Sequence, residues 1–186
     1  MITIGILPVG KTDSEVLDRI TENLRIVFTE AEITVTPEAL PTPEEAFSKT
    51  RQQYRSDIML NAIRSYTEKN GAARILAIAN VDIFIPRLPF VFGRAECPGK
   101  SALISLFRLR PEFYGRPPNI QVQVDRGTKE AAHEIGHTLG LKHCANPYCV
   151  MYFSKSIFET DRKQSLFCNK CYLKIQSTTA ENREDT

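Results

Sequence analysis

All three histidines of the chain lie between positions 133 and 143, in the run HEIGHTLGLKH. Because residues four apart lie on one face of a helix, His133 and His137 can bind one metal ion together. Glu134 points about 100° away around such a helix, so it is predicted not to bind the ion but to act as a base on a metal-bound water. The run predicts a helix over residues 128–139, capped by Thr128, of the kind that zinc hydrolases use.

Gly140 and His143 extend this pattern. To bring a third imidazole to the same ion, the chain must leave the helix and turn back, and a left-handed glycine permits that turn at least cost. His143 then completes a three-nitrogen site with one open position, which is typical of catalytic zinc. Neutral ligands leave the ion its double charge, so it can lower the pKa of a bound water toward about 7. Histidines that only hydrogen-bond in a core are the alternative, and the length of the motif argues against it.

Four of the five cysteines follow directly, as two close pairs of thiols: Cys144, Cys149, Cys168 and Cys171. This spacing predicts a tetrahedral zinc ion held by four thiolates, a closed structural site. A redox pair, disulfides and unengaged core cysteines are the alternatives, although clustered thiols in a reducing compartment are more often metal ligands. The residues after the helix are too few to bury a core of their own, and a zinc ion there would replace that core.

The motif H-E-x-x-H-x-x-G-x-x-H with Met151 after it resembles the metzincin clan of zinc metallopeptidases. Its continuation, H-C-x4-C-x-M followed by C-x-x-C, resembles the archaemetzincins, as do the upstream segments VDIFIP (81–86) and FVFG (90–93). The resemblance implies an intracellular zinc peptidase with a catalytic and a structural zinc ion, two per chain. It also implies that Met151 lies in a tight turn beneath the catalytic metal; Met151 as an ordinary core residue is the alternative.

The chain before the motif predicts alternating strands and helices. Apolar periodicity predicts helices over residues 13–29 and 42–70, the second with a capping box at its start and Asn70-Gly71 at its end. Short apolar or alternating runs predict strands over residues 2–7, 33–36, 75–79, 102–107 and 120–124, and Pro and Gly predict a loop or irregular hairpin over 85–100. The predicted class is α/β (α+β), a mixed twisted sheet with packed helices in a metzincin-like zincin fold.

The same pattern predicts three parts of the chain. Residues 1–140 form an upper subdomain with the sheet and the active-site helix. Residues 141–175 form a small lower subdomain with the third histidine, the turn at Met151 and the cysteine site. Residues 176–186 are polar and are expected to be a flexible tail.

Composition limits the partners of the chain. The net charge is +2, the basic residues Arg108, Arg110, Arg116 and Arg126 are scattered among acids, and no apolar run approaches the roughly 18 residues of a membrane span. We therefore expect a cytoplasmic monomer whose partner is a peptide or protein substrate, with neither nucleic acid nor membrane. An inactive zinc-binding interaction module and a zinc hydrolase of a non-peptide amide or ester are the alternative functions.

Three further residues or segments carry weaker expectations. Cys97 is expected to be a free loop or core thiol, because its context does not match the propeptide cysteine that blocks the zinc of some metzincins. Tyr152 could assist the developing oxyanion, although core packing is the simpler interpretation. The strand at 102–107 is the candidate edge along which a substrate peptide would bind.

Overall fold

The structure, a computed structural model, describes the backbone of residues 2–184 and the side chains of residues 2–176. The strands are β1 Ile2–Val9, β2 Ala31–Val35, β3 Phe47–Ser48, β4 Gln53–Arg55, β5 Ile75–Ala79, β6 Ile83–Phe84, β7 Gly93–Ala95 and β8 Ser101–Ser105. The helices are α1 Ser14–Val27, α2 Ser56–Lys69, α3 Ile120–Thr138, α4 Ile157–Arg162 and α5 Asn169–Glu184, with short 3-10 helices at Glu44–Ala46 and Pro111–Tyr114. Within residues 2–184, none of these helices has both the length and the apolar character to cross a membrane.

A five-stranded sheet with the order β2-β1-β5-β8-β7 forms the centre of the molecule. Its strands are parallel except β7, which runs antiparallel to β8. Successive side chains of a strand point to opposite faces, and the core accordingly divides in two. Ile4, Leu76 and Ile104 face α1 and α3, whereas Leu7, Ala77 and Leu103 share a second cluster with residues of α2. The predicted mixed α/β sheet with packed helices is confirmed.

The strand predicted over 120–124 is wrong, because these residues form the first turn and a half of α3. Asn119 caps the helix by accepting a hydrogen bond from the Val122 N–H at 3.1 Å. Thr128, predicted as the cap, lies inside the helix and donates to the Val124 carbonyl at 2.8 Å. The alternation IQVQV also places apolar residues four apart, at 120 and 124, so it fits a helix once one side is buried.

The helix predicted over 42–70 is correct only from Ser56 onward. After the 3-10 turn at Glu44–Ala46, the chain forms the antiparallel pair β3–β4, which belongs to a small sheet with β6. Phe47 and Tyr54, seven residues apart, pack together across this pair with ring centroids 5.0 Å apart. The spacing of Phe47 and Tyr54, which suggested a helix, therefore arises from their pairing across a hairpin. The predicted end of the helix at Asn70-Gly71 is confirmed, with Gly71 at φ +61°.

The predicted substrate edge is also wrong, because β8 lies between β5 and β7 and has no free edge. The edge strand beside β8 is β7, within the segment 85–100 that the sequence predicts as a loop or irregular hairpin, and β2 forms the opposite edge. The predicted tail over 176–186 coincides with the second half of α5, whose backbone is helical to Glu184; residues 185 and 186 lie outside the described residues. The division into subdomains at residue 140 stays a prediction.

Candidate metal centres

Helix α3 carries His133, Glu134 and His137 on a surface that faces the interior. His133 and Glu134 are 4% and 5% exposed, since α3 packs against both the sheet and α1. The helix is continuously buried over residues 126–136, where small and apolar residues such as Ala131, Ala132 and Ile135 surround the motif. The motif is thus held on a rigid element rather than on a loop.

Each of these two imidazoles is fixed by a backbone carbonyl. His133 Nδ1 donates to the Val150 carbonyl and His137 Nδ1 donates to the Leu141 carbonyl, both at 2.7 Å. A neutral imidazole whose Nδ1 carries the proton has a bare lone pair on Nε2. The two Nε2 atoms face each other at 3.1 Å. Two lone pairs at this distance repel unless a cation lies between them, so the arrangement fits a metal ion.

The third imidazole, His143, reaches the same place from outside the helix. Gly140 adopts φ +89°, the left-handed conformation that the sequence predicts, and the chain turns back after α3. The ring centroid of His143 lies 5.3 Å from that of His133 and 4.9 Å from that of His137. The candidate ligand nitrogens of the three histidines all lie within 4.8 Å of one another. The structure therefore brings together the three imidazoles on which the sequence prediction depends.

The environment keeps these imidazoles neutral. Burial is the main cause that lowers the pKa of all three, and it lowers that of His133 well below the usual value. The charge of Lys163 acts in the same direction on each ring. A neutral imidazole is the form that binds a metal ion, so the electrostatics of the site fit the donor set.

Glu134 lies beside these rings with its carboxylate buried. Burial, and then the neighbouring Glu130, raise the pKa of Glu134 well above the usual value, while Lys163 and Arg94 oppose the shift. The carboxylate also lies against β7, because a Cβ atom on Gly93 would come within 2.6 Å of Glu134 Oε1. Only glycine leaves room at 93 for the glutamate, a requirement that the sequence analysis missed although Gly93 ends the FVFG segment.

The imidazoles and Glu134 open into a cavity of about 570 Å³. Its wall is formed by segment 85–95, by α3 residues and by residues 153–155.

Cys97, which is free and exposed as expected for a loop thiol, also lines this cavity, and nothing in its sequence context predicted that. Tyr152 is half-buried and is not among the described residues that line the wall, which favours a packing role.

The four clustered cysteines form a second centre. Their Sγ atoms lie within 4.8 Å of one another, and the Cys144 and Cys168 sulfurs are 3.8 Å apart. Four thiolates at about 2.3 Å from a tetrahedral zinc ion would lie about 3.8 Å from each other. Backbone N–H groups also point at the sulfurs, from Cys168 to Cys149 at 3.3 Å and from Asn146 to Cys144 at 3.5 Å. The donor set and its spacing fit a closed zinc site.

The thiols of this cluster differ in acidity. Burial raises the pKa of the Cys149 thiol and that of the Cys171 thiol. Burial acts the same way on Cys168, but hydrogen bonds from the Cys171 N–H and from the Cys149 thiol lower its pKa to about 7. The Cys168 sulfur, with a pKa of about 7, is therefore about half thiolate at neutral pH, and the thiolate is the form that binds metal.

A short segment joins the two centres. Met151 is fully buried, and its sulfur lies directly against α3, where a Cβ atom on Gly136 would be 2.5 Å from it. The Met151 carbonyl accepts from the Cys144 N–H at 2.9 Å, and the adjacent Val150 carbonyl is the one that fixes His133. The turn around Met151 thus touches both centres, as expected for a methionine beneath the histidine site.

A mixed sheet above a helix that presents two histidines and a buried glutamate, with a third histidine beyond a glycine turn, defines a zinc metallopeptidase of the metzincin type. A model of peptidase family M54 matches residues 1–177. The chain belongs to this family and is a zinc metallopeptidase, so the resemblance to the archaemetzincins is confirmed. Membership in a peptidase family implies a peptide or protein substrate.

Relatives of similar sequence and solved structures agree with this assignment. The chain is 43% identical to the archaemetzincin of Methanocaldococcus jannaschii over 176 residues, which cover 95% of this chain and 94% of the relative. It is 40% identical to the archaemetzincin of Pyrococcus abyssi, with 93% and 94% covered. The crystal structure of the Methanopyrus kandleri archaemetzincin matches with a TM-score of 0.82 at 33% identity, covering 96% of both chains. That of the Archaeoglobus fulgidus protein, complexed with malonate, matches with 0.80 at 35% identity, covering 93% of this chain and 99% of that one.

Proposed function

We propose that this chain hydrolyses peptide bonds with one zinc ion held by His133, His137 and His143 and with Glu134 as general base. The observation that carries the proposal is the pair of facing Nε2 lone pairs, 3.1 Å apart, whose rings are fixed by carbonyls on their other side. A zinc ion held by three neutral nitrogens acidifies a bound water and polarises the scissile carbonyl.

Glu134 is suited to move the proton in this reaction. Its carboxylate is buried beside the imidazoles and lines the same cavity, within the region where a general base must lie to reach the attacking water. Glu134 takes a proton from the attacking water and later gives it to the departing amine nitrogen. Because it projects away from the histidine nitrogens around the helix, it is free to exchange protons rather than to bind metal.

The substrate backbone would bind along β7. This strand forms one of the two edges of the sheet, and its residues Gly93, Arg94 and Ala95 line the cavity that holds the imidazoles. An extended peptide can add to such an edge through backbone hydrogen bonds. This role replaces the one predicted for residues 102–107.

We assign a second, structural zinc ion to Cys144, Cys149, Cys168 and Cys171, which gives two zinc ions per chain. Four thiols leave no position open for a substrate; their sulfurs all lie within 4.8 Å of one another, and those of Cys144 and Cys168 lie 3.8 Å apart, the separation that a tetrahedral ion requires. Free clustered thiols also support a reducing, cytoplasmic location, because an oxidising compartment would favour disulfides.

Glu134→Gln tests the assignment of the base. The substitution keeps the volume of the side chain but removes its basicity, so peptide cleavage should fall by about a thousandfold while two zinc ions remain bound. Cleavage of a peptide library and elemental analysis measure the two quantities. Glu112→Gln, a change at an exposed glutamate outside the cavity, is the control that should keep full activity. Full activity in Glu134→Gln would refute the base, and loss of zinc would mean that Glu134 helps to bind it.

A further inference from the structure

The cavity beside the imidazoles combines an apolar wall with an unusual polar base. One stretch of chain supplies most of the apolar wall: Ile85, Leu88, Pro89, Phe90, Val91 and Phe92. On the side of α3, the lining includes Glu130, one turn before Glu134. Glu130 is only 4% exposed, so its carboxylate is largely removed from water.

Behind Glu130 lies a lysine that is completely buried. Lys163 is 1% exposed, and its Nζ lies 2.9 Å from Glu130 Oε1. The Thr160 hydroxyl donates to the same oxygen at 3.0 Å. Both contacts fall on Oε1, and within residues 2–176 no hydrogen-bond donor is assigned to Oε2. The second carboxylate oxygen is thus left to whatever occupies the cavity.

Another residue that lines the cavity also has a polar atom without a hydrogen-bond partner. Ser154 lines the cavity, and its Oγ atom is buried without a hydrogen-bond partner in the described part of the chain. The Lys163 ammonium likewise has no hydrogen-bond partner there besides its ionic contact with Glu130. Buried polar groups that lack partners are costly, and nearly all in folded proteins are satisfied by protein, water or ligand. Glu130 Oε2 and Ser154 Oγ, both on residues that line the cavity, therefore have capacity for a polar group that arrives with a ligand, while Lys163 lies behind Glu130 and does not line the cavity.

We propose that Glu130 and Ser154 make this cavity selective for a substrate side chain with an apolar body and an uncharged hydrogen-bond donor at its tip, tyrosine above all. This inference rests on the proposed peptidase function and names the side chain that the site prefers. An aromatic ring would pack against the Phe90 side of the cavity, and its hydroxyl would donate to Glu130 Oε2.

The charges explain why the tip should be neutral. Lys163 already balances Glu130, and Arg94 and Lys155 also line the cavity. A lysine or arginine side chain would add a further positive charge in a desolvated site, where the other lining carboxylate, Glu134, is committed to the attacking water. A phenylalanine would fill the apolar part but leave Glu130 Oε2 and Ser154 Oγ without partners. Discrimination between tyrosine and phenylalanine is therefore the sharpest measure of the proposal.

The experiment uses three pools of seven-residue peptides that share degenerate flanks and carry Tyr, Phe or Lys at the centre. Zinc-loaded enzyme should cleave the Tyr pool about tenfold faster than the Phe pool next to the central residue, with the Lys pool slowest. The Glu134→Gln protein should retain the Tyr pool more tightly than the other two, a readout that needs no turnover. If none of the three pools is cleaved while the tighter retention of the Tyr pool persists, the peptidase proposal fails and the proposed preference of the cavity for tyrosine remains supported.

Three variants separate recognition from folding. The double change Glu130→Leu/Lys163→Met replaces the buried ion pair by apolar groups of similar volume, which proteins often tolerate, and should bring the Tyr-to-Phe ratio to about one. Ser154→Ala, a milder change, should lower the Tyr-to-Phe ratio a few-fold. Thr160→Val removes only the hydroxyl that donates to Glu130 Oε1, so it should preserve the ratio. The proposal would be overturned if the Tyr and Phe pools were cleaved and retained equally, or if the Lys pool were preferred. It would also be overturned if the Tyr-to-Phe ratio stayed unchanged in both Ser154→Ala and a folded double variant.

Discussion

The two candidate metal centres lie next to each other along the chain but are built differently. The histidine centre takes two of its three imidazoles from α3, and each of these is braced by a carbonyl at 2.7 Å. It opens into a cavity of about 570 Å³. The cysteine centre takes two thiols from the irregular segment around Cys144 and Cys149, one from Cys168 just before α5 and one from Cys171 in the first turn of α5. None of its four cysteines lines that cavity.

The fold itself positions the helical ligands of the histidine centre, whereas the cysteine centre needs a bound metal ion to join its two segments. A buried helix packed on a sheet holds His133 and His137 in place whether or not an ion is bound. The segments that carry the cysteines have little regular structure between Thr138 and Asn169 apart from the short helix α4. Val150, Met151 and Ile157 anchor this stretch in the main core, but the four cysteines come from two separate segments, so zinc binding that joins them should contribute directly to folding.

The largest effect is expected from a change in the cysteine centre. Cys168→Ser removes one thiolate and should lower the thermal unfolding midpoint by about 10 °C, the equivalent of a few kcal/mol in a chain of this size. It should also weaken zinc binding at the histidines, because the Val150 carbonyl that fixes His133 follows Cys149 directly. Calorimetry and elemental analysis measure both effects, with Cys97→Ser, a thiol outside the cluster, as the control. An unchanged affinity for the histidine-bound zinc would show that the two centres are independent.

A change in the histidine centre should affect activity but hardly stability. His143 is exposed and lies after the glycine turn, so His143→Ala removes a ligand without opening a core cavity. Bound zinc should fall from two ions per chain to one, peptide cleavage should be lost, and the unfolding midpoint should shift by no more than about 2–4 °C. A fall of 10 °C would mean that the histidine centre is as important for folding as the cysteine centre.

The smallest effect is expected where the sheet edge meets the catalytic carboxylate. Gly93→Ala places a methyl group 2.6 Å from the present position of Glu134 Oε1 and 2.8 Å from the Leu103 carbonyl oxygen, so the carboxylate must move and the strand must shift slightly. We expect kcat to fall about tenfold, with both zinc ions retained, because displacement of a reacting group by a fraction of an ångström weakens proton transfer. Ala95→Ser, on the same strand, is the control and should keep kcat within about twofold. Loss of zinc in Gly93→Ala would show that the strand supports the metal ligands instead.

Local spacing predicted the parts of the site that lie on one element or on a short connection. The separation of four residues between His133 and His137, the glycine turn at 140 and the C-x-x-C pair at 168 and 171 each follow from backbone geometry over a few residues. The structure brings both groups of side chains together, while their action as ligands stays a prediction. The helix over 13–29 and the buried strand over 75–79 were readable for the same reason, since one amphipathic stripe or one apolar run identifies each.

Periodicity failed where one pattern fits two structures. Phe47 and Tyr54 match a helical spacing, but they meet across a hairpin, and Ile120 to Val124 alternates like a strand although it is helical. Which structure forms depends on what packs against the segment, and that partner is far away in the sequence. The choice of β7 rather than β8 as the outer strand is of the same kind, because strand order is set by pairing between distant segments.

The sequence by itself determined the family, the mixed α/β class and the residues able to hold metal, because these depend on residue identity at short spacing. Only the tertiary structure decided what surrounds them: the carbonyl of Val150 on His133, Gly93 against Glu134, and Lys163 behind Glu130, 33 residues away. Such contacts form when separate elements bury a shared surface, and the free energy of that burial depends on area and shape rather than on any local pattern.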